Sequence, residues 1–88
     1  MPNGPDDDPL PNRAEVARVG LYRDFLNCAA LPDDQLIQRA LEKLETAPLS
    51  ADRRRLPLVC IAILLDQLPD GPQRNAFLRR YTALRRSP

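Results

Sequence analysis

The chain has 88 residues and a formal net charge of +1, with 43% apolar and 28% charged residues, which is the balance of a small globular protein. A chain of this length can build only one core, and so small a core typically supplies about 3–5 kcal/mol of stability. The absence of His excludes Ser–His–Asp and Cys–His catalysis, and the three Gly do not form a phosphate loop. We therefore predict no enzyme activity, no catalytic residue, no metal site and no cofactor.

The two cysteines and the longest apolar run indicate where the protein resides. Cys28 and Cys60 form neither a metal-binding nor a redox motif, so we predict reduced thiols, with a disulfide between them as the alternative. The longest apolar run covers residues 58–65, whereas a membrane span needs about 20 residues. We expect a soluble, cytoplasmic protein. Only Lys43 among thirteen basic residues is Lys, and ten Pro are present, which is typical of a G+C-rich bacterial or phage genome.

Residues 1–11 contain four Pro and three consecutive Asp, a composition that predicts a disordered acidic arm ahead of a single helical domain at 12–88. Asn12, with Glu15 three residues later, resembles a capping arrangement, so the first helix should begin at Arg13. Apolar residues at spacings of three and four extend the prediction to residue 30. Its apolar stripe contains Val19, Tyr22, Leu26 and Ala29, widened by Leu21 and Phe25.

The second helix has the clearest amphipathic pattern in the chain. Pro32 suits a first helical turn, and the acids after it favour a helix N-terminus, so we predict a helix over 33–46 that ends before Pro48. The predicted buried face consists of Leu36, Ile37, Ala40, Leu41 and Leu44.

The third helix is predicted over 51–68, kinked or broken at Pro57. Ser50 can cap its N-terminus, but Pro57 removes a backbone donor, and we favour a break at Pro57 over a bend. From Leu58 to Leu68 the sequence is apolar on every side, which predicts a central helix that is buried all round. Because only three short helices are available to cover it, we also expect some of its surface to remain for a second subunit. A buried strand is the alternative, but the sequence offers no second strand to pair with it.

The fourth helix follows the turn at residues 68–72 and is predicted over 72–86, with Phe77, Tyr81 and Leu84 as its apolar stripe. From Pro72 to Pro88 the chain carries five Arg and no acidic residue. The fold class is therefore predicted to be all-α, a small bundle of four short helices.

One tripeptide in the first helix resembles a family signature. Leu21-Tyr22-Arg23 is similar to the motif of the mitochondrial LYR proteins, which are small helical adaptors that engage acyl carrier protein and iron–sulfur assembly partners. The resemblance covers these three residues only. Because packing in the predicted stripe already explains Leu21 and Tyr22, we transfer no function from it.

By exclusion, the sequence predicts a non-enzymatic protein–protein interaction module that acts as an adaptor, inhibitor or regulator. The predicted contact residues are Arg74, Arg79, Arg80, Tyr81 and Arg85, whose residue types are enriched at interfaces. The expected partner is a protein with an acidic surface, homodimerisation is also expected, and the wide stripe of the first helix is a second possible surface. The alternative function is nucleic-acid association through Arg53–Arg55 and the fourth helix.

Overall fold

A computed structural model describes residues 12–47 and 49–87, and over these residues the chain forms four helices and no strand. The elements are α1 (Arg13–Val19), which continues as a π-helical segment (Gly20–Phe25), then α2 (Asp33–Thr46), α3 (Ala51–Gln67) and α4 (Pro72–Arg86). The predicted small all-α fold is confirmed. The predicted arm at residues 1–11 lies outside the described residues.

Local signals at three helix starts act as the sequence predicts. The Asn12 side chain accepts a hydrogen bond from the backbone N–H of Ala14 at 2.9 Å, and the Ser50 hydroxyl accepts one from the backbone N–H of Arg53 at 3.3 Å. Pro72 occupies the first turn of α4, where its missing N–H has no cost. Helices α1 and α3 therefore begin at a side-chain cap and α4 begins at a proline, whereas α2 has no side-chain cap at Pro32.

The first helix is shorter than predicted, because it widens into a π turn and stops at Phe25 rather than at residue 30. The backbone N–H of Leu26 donates to the carbonyl of Leu21 at 2.7 Å, five residues back, and that of Cys28 donates to Tyr22 at 2.7 Å, six residues back. Asn27 has φ of 54°, the left-handed conformation that commonly ends a helix. The prediction that Cys28 and Ala29 lie in the helix is therefore wrong.

The favoured break at Pro57 is also wrong, because α3 is one continuous helix from Ala51 to Gln67. A proline inside a helix typically costs about 3 kcal/mol, since a backbone hydrogen bond is lost and the ring crowds the preceding turn. Here the ring of Pro57 is buried, and Leu58 and Ile61 in the next turn are buried in the core. We attribute the continuity to this burial, which holds the helix in place on the C-terminal side of the proline.

One hydrophobic core joins all four helices. All five residues of the predicted α2 face are at most 3% exposed, which confirms that face. The other helices contribute Ala14, Ala17, Leu21, Leu58, Cys60, Ile61, Leu64, Leu65, Phe77 and Leu84. The buried positions are Ala14 and Ala17 in α1 and Leu21 in the π-helical segment, whereas Val19 is only partly buried and Ala29, beyond both, is exposed. The predicted stripe is therefore confirmed at Leu21, which is buried, and at Tyr22, Phe25 and Leu26, which pack against the core, and it is wrong at Ala29.

Hydrogen bonds between helices show how the chain runs. Arg74 Nε donates to the Leu65 carbonyl at 2.9 Å and Arg54 Nη2 donates to the Ser87 carbonyl at 2.8 Å, so α3 and α4 are antiparallel. Arg18 near the start of the chain pairs with Asp33 at 2.7 Å. Within residues 12–47 and 49–87, no helix combines the length and the hydrophobicity needed to cross a membrane.

Candidate protein-interaction surface

One side of α3 is open, as expected from the three short helices available to cover it, and the prediction that residues 58–68 are buried all round is wrong at Val59. Leu56 is 66% exposed and Val59 is 48% exposed, whereas Ile61 and Leu64 on the opposite side are fully buried. The reason is geometric: α1, α2 and α4 all pack against α3, and three short helices cover only part of its circumference. Two large aliphatic side chains one turn apart therefore face solvent.

The open side of α3 continues onto α1. Val16 of α1 is 53% exposed and lines the same surface groove as Leu56. This groove has a volume of 380 Å³ and is lined by Glu15, Val16, Val19, Gly20, Arg23, Asp24, Leu56 and Cys60. We refer to Val16, Leu56 and Val59 as the apolar strip. These are the exposed large hydrophobic residues of the described chain.

Close contact between the first helix and α3 forms the floor of this groove. A Cβ atom at Gly20 would lie 3.1 Å from Cys60 Sγ, which is closer than ordinary van der Waals contact, so glycine permits the two helices to approach. Burial raises the pKa of the Cys60 thiol, and the negative charge of Asp24 raises it further. The thiol is therefore protonated at neutral pH. Cys28 and Cys60 are both free cysteines, as the reduced-thiol prediction requires.

A second groove lies on the other side of the open face, between α3 and α4. It has a volume of 430 Å³ and is lined by Ala51, Arg54, Arg55, Leu58, Val59, Tyr81, Arg85 and Ser87. Three of these residues are arginines, and none of the described lining residues is acidic. We refer to it as the basic groove. Val59 belongs to both the apolar strip and the lining of the basic groove, so the two features are adjacent.

The arginines of the basic groove differ in their surroundings. Arg54 is buried and donates to the Ser87 carbonyl, which ties the end of α4 to α3. The Arg85 guanidinium lies 5.7 Å from the centre of the Tyr81 ring, in range of a cation–π contact. Arg55 is 3.9 Å from Asp52, but both side chains are at least 79% exposed, so water and salt screen this pair. Arg55 and Arg85 are thus the accessible cations of the groove.

The five predicted contact residues do not share one surface. Arg80 forms a bidentate pair with Glu45 at 2.7 and 2.9 Å and donates to Gln38 Oε1 at 2.8 Å, so it joins α4 to α2. This hydrogen bonding lowers the pKa of Glu45 and raises that of Arg80. Arg74 donates to the Leu65 carbonyl and lies 3.4 Å from Asp70. Both arginines therefore have intramolecular roles.

The remaining three predicted residues divide between two grooves. Tyr81 and Arg85 line the basic groove together, whereas the exposed Arg79 lines a separate groove of 380 Å³ with Thr82 and Arg86. The apolar strip was not among the predicted contact residues, although the spacing of Leu56 and Val59 by three positions places them on one helix face. The helical pattern alone could not show that this face is the uncovered one.

The Leu21-Tyr22-Arg23 tripeptide lies in the π-helical segment. Leu21 is fully buried, Tyr22 packs against the core, and Arg23 is exposed with its guanidinium 3.6 Å from Asp24. Within the part of the chain that the structure describes, no group of three or more His, Cys, Asp or Glu could hold a metal ion. Comparison of the chain with protein-family models, curated proteins and solved structures finds no match.

Proposed function

We propose that this chain is a cytoplasmic protein-interaction module of bacterial or phage origin, which acts as an adaptor, inhibitor or regulator by docking another protein on the apolar strip. The observation that carries the proposal is the exposure of Leu56 and Val59 on a helix whose other sides form the core. Scattered exposed aliphatic residues are ordinary, but adjacent ones beside a groove are typical of binding sites.

The energetics of a small domain favour such a partner. Fully burying one Val or Leu side chain is worth about 1.5–3 kcal/mol, and these residues are already partly covered, so the strip offers part of that for each residue. This gain is comparable with the whole stability of so small a domain, about 3–5 kcal/mol. A partner that binds only the folded chain also stabilises it by mass action. Docking at the strip would therefore serve both binding and folding.

Site-specific crosslinking in the cells that encode the chain tests this proposal. A photo-crosslinking amino acid replaces Leu56, and the matched control carries it at Gln35, an exposed position on α2. We expect a discrete protein adduct from position 56 and none from position 35. The substitution Val59→Asp should abolish the adduct while circular dichroism shows an intact helical fold. Equal adducts from both positions, or an adduct that Val59→Asp leaves unchanged, would rule out docking at the strip.

Nucleic-acid association is the second candidate function, supported by Arg55 and Arg85, the accessible cations of the basic groove. Proteins that neutralise phosphates release counterions, so their affinity falls steeply as salt rises. The test is a mobility shift with random duplex DNA at about 50 mM salt and again at about 200 mM. A shift that weakens with salt would favour this function, and no binding at the lower salt would remove it.

A further inference from the structure

We infer that the partner presents an acidic amphipathic helix, whose apolar face covers the apolar strip and whose carboxylates reach Arg55 and Arg85 in the basic groove. This inference rests on the proposed function and specifies the chemistry of the partner. It follows from two features that meet at Val59: an uncovered aliphatic face and a groove with cations and no acid among its described lining residues.

The charge of the groove is local rather than a property of the whole chain. The formal net charge is only +1, yet residues 72–88 carry five Arg and no acid. Arg74 and Arg80 are paired with acidic side chains of α2, α3 and the loop before α4, whereas the Arg85 guanidinium lies 5.7 Å from the centre of the Tyr81 ring and forms no ion pair with a described residue. Arginine forms bidentate hydrogen bonds with carboxylates. Arg85 and Arg55 can therefore receive two carboxylates of a partner.

The apolar side of the surface matches a helical ligand. Leu56 and Val59 are one helical turn apart on α3, and Val16 lies across the groove from Leu56. A helix docked against such a surface presents anchors at positions i, i+3, i+4 and i+7. Its polar face then lies at the rim, where opposite charge increases the association rate and fixes the orientation.

The same features disfavour two other occupants. A second copy docked symmetrically over the basic groove would bring Arg55 and Arg85 against their own equivalents, and like charges at an interface are unfavourable. Nucleic acid would leave the aliphatic side chains of Leu56 and Val59 uncovered. A protein segment with apolar residues for the strip and acidic residues for the basic groove matches both features.

Fluorescence anisotropy with defined peptides and the full chain tests the inference. The probe is a labelled peptide of about 18 residues, long enough to be helical, with Leu at the anchor positions and Glu on the other face. The first control peptide replaces every Glu with Lys, and the second keeps the composition but scrambles the order. We expect the acidic amphipathic peptide to bind at least tenfold more tightly than either control, with affinity that falls as salt rises.

Two charge-reversal variants identify the surface that binds the peptide. The test variant carries Arg55→Glu with Arg85→Glu, and the control carries Arg39→Glu with Arg79→Glu; all four residues are exposed. The two variants have the same net charge. We expect the test variant to weaken peptide binding at least tenfold and the control variant to weaken it less than threefold, while both retain the circular dichroism of the parent.

The possible outcomes separate this inference from the proposed function. If the Lys peptide binds as tightly as the Glu peptide and Val59→Asp abolishes both, docking at the strip stands and the acidic partner is wrong. If Val59→Asp leaves binding of the Glu peptide unchanged, the proposed function fails as well. Equal loss in the two charge-reversal variants, or tighter binding of a labelled single-stranded oligonucleotide than of the Glu peptide, would overturn the inference.

Discussion

Helices α2 and α3 have apolar residues in different patterns, and the fold treats them differently. In α2 the apolar residues occupy one face, and every residue of that face is buried. In α3 they surround the helix, and the fold buries Ile61 and Leu64 while it leaves Leu56 and Val59 exposed. The amphipathic pattern of α2 specifies which face of the helix packs on the core. The uniformly apolar pattern of α3 is compatible with several orientations about the helix axis. Where the neighbours pack then decides which of its residues remain available to a partner.

The largest expected effect on stability comes from placing a carboxylate on the buried side of α3, and the same change on its open side serves as the comparison. An unpaired buried carboxylate costs several kcal/mol, so Ile61→Asp or Leu64→Asp should exceed the stability of so small a core, about 3–5 kcal/mol, and unfold the chain. Val59→Asp, on the open side of the same helix, should change the free energy of unfolding by less than about 1 kcal/mol. Circular dichroism with urea titration measures both.

Two outcomes of these substitutions would contradict the contrast between the buried and the open side of α3. A folded, monomeric Ile61→Asp variant would contradict the central packing of α3. An unfolded Val59→Asp variant would show that the open side contributes to the core, and the apolar strip would then no longer be a free surface.

A smaller effect is expected where the first helix approaches α3. Alanine is favoured over glycine in a helix by about 1 kcal/mol, but the added Cβ at Gly20 would meet Cys60 Sγ at 3.1 Å. We therefore expect Gly20→Ala to give no gain in the free energy of unfolding of the parent chain. In a chain that already carries Cys60→Ala, the same substitution should raise the free energy of unfolding by about 0.5–1 kcal/mol. A double-mutant cycle of urea unfolding measures this coupling. A cycle with no coupling would mean that the Cys60 side chain moves aside without cost.

An effect no larger than this is expected from the ion pair between α2 and α4. Because Arg80 lowers the pKa of Glu45, the folded state holds the Glu45 proton less tightly than the unfolded state does. The stability that the ion pair contributes is fully present above the pKa of Glu in the unfolded chain, about 4.3. It is lost as the pH falls through the lower pKa that Glu45 has in the folded chain. Both side chains are about one-third exposed, so screening limits the pair to about 0.5–1 kcal/mol.

The measurement is urea unfolding at pH 7 and at about pH 3 for the parent chain and for Glu45→Gln. We expect the variant to be slightly less stable at pH 7 and to lose less stability than the parent on acidification. The matched variant Arg80→Gln removes the other partner of the pair and should likewise lose less stability than the parent on acidification. A Glu45→Gln profile that runs parallel to that of the parent would show that the pair is energetically neutral.

Features of the fold that depend on residues close together in the chain could be predicted from the sequence. The caps at Asn12 and Ser50, the proline at the start of α4 and the buried face of α2 were all predicted, because each is set by residues within one or two turns. For the same reason the four-helix, all-α fold was predicted correctly.

Features of the fold that depend on residues far apart in the chain could not be predicted, because they are set by how the helices pack. Helix α3 continues through Pro57 because the core holds both the proline and the next turn, and the first helix widens into a π turn where Gly20 meets Cys60. Arg80 forms an intramolecular ion pair because Glu45 on another helix lies beside it. The exposure of Leu56 depends on the space that three short helices leave around a fourth, and a pattern within one helix carries no information about that space.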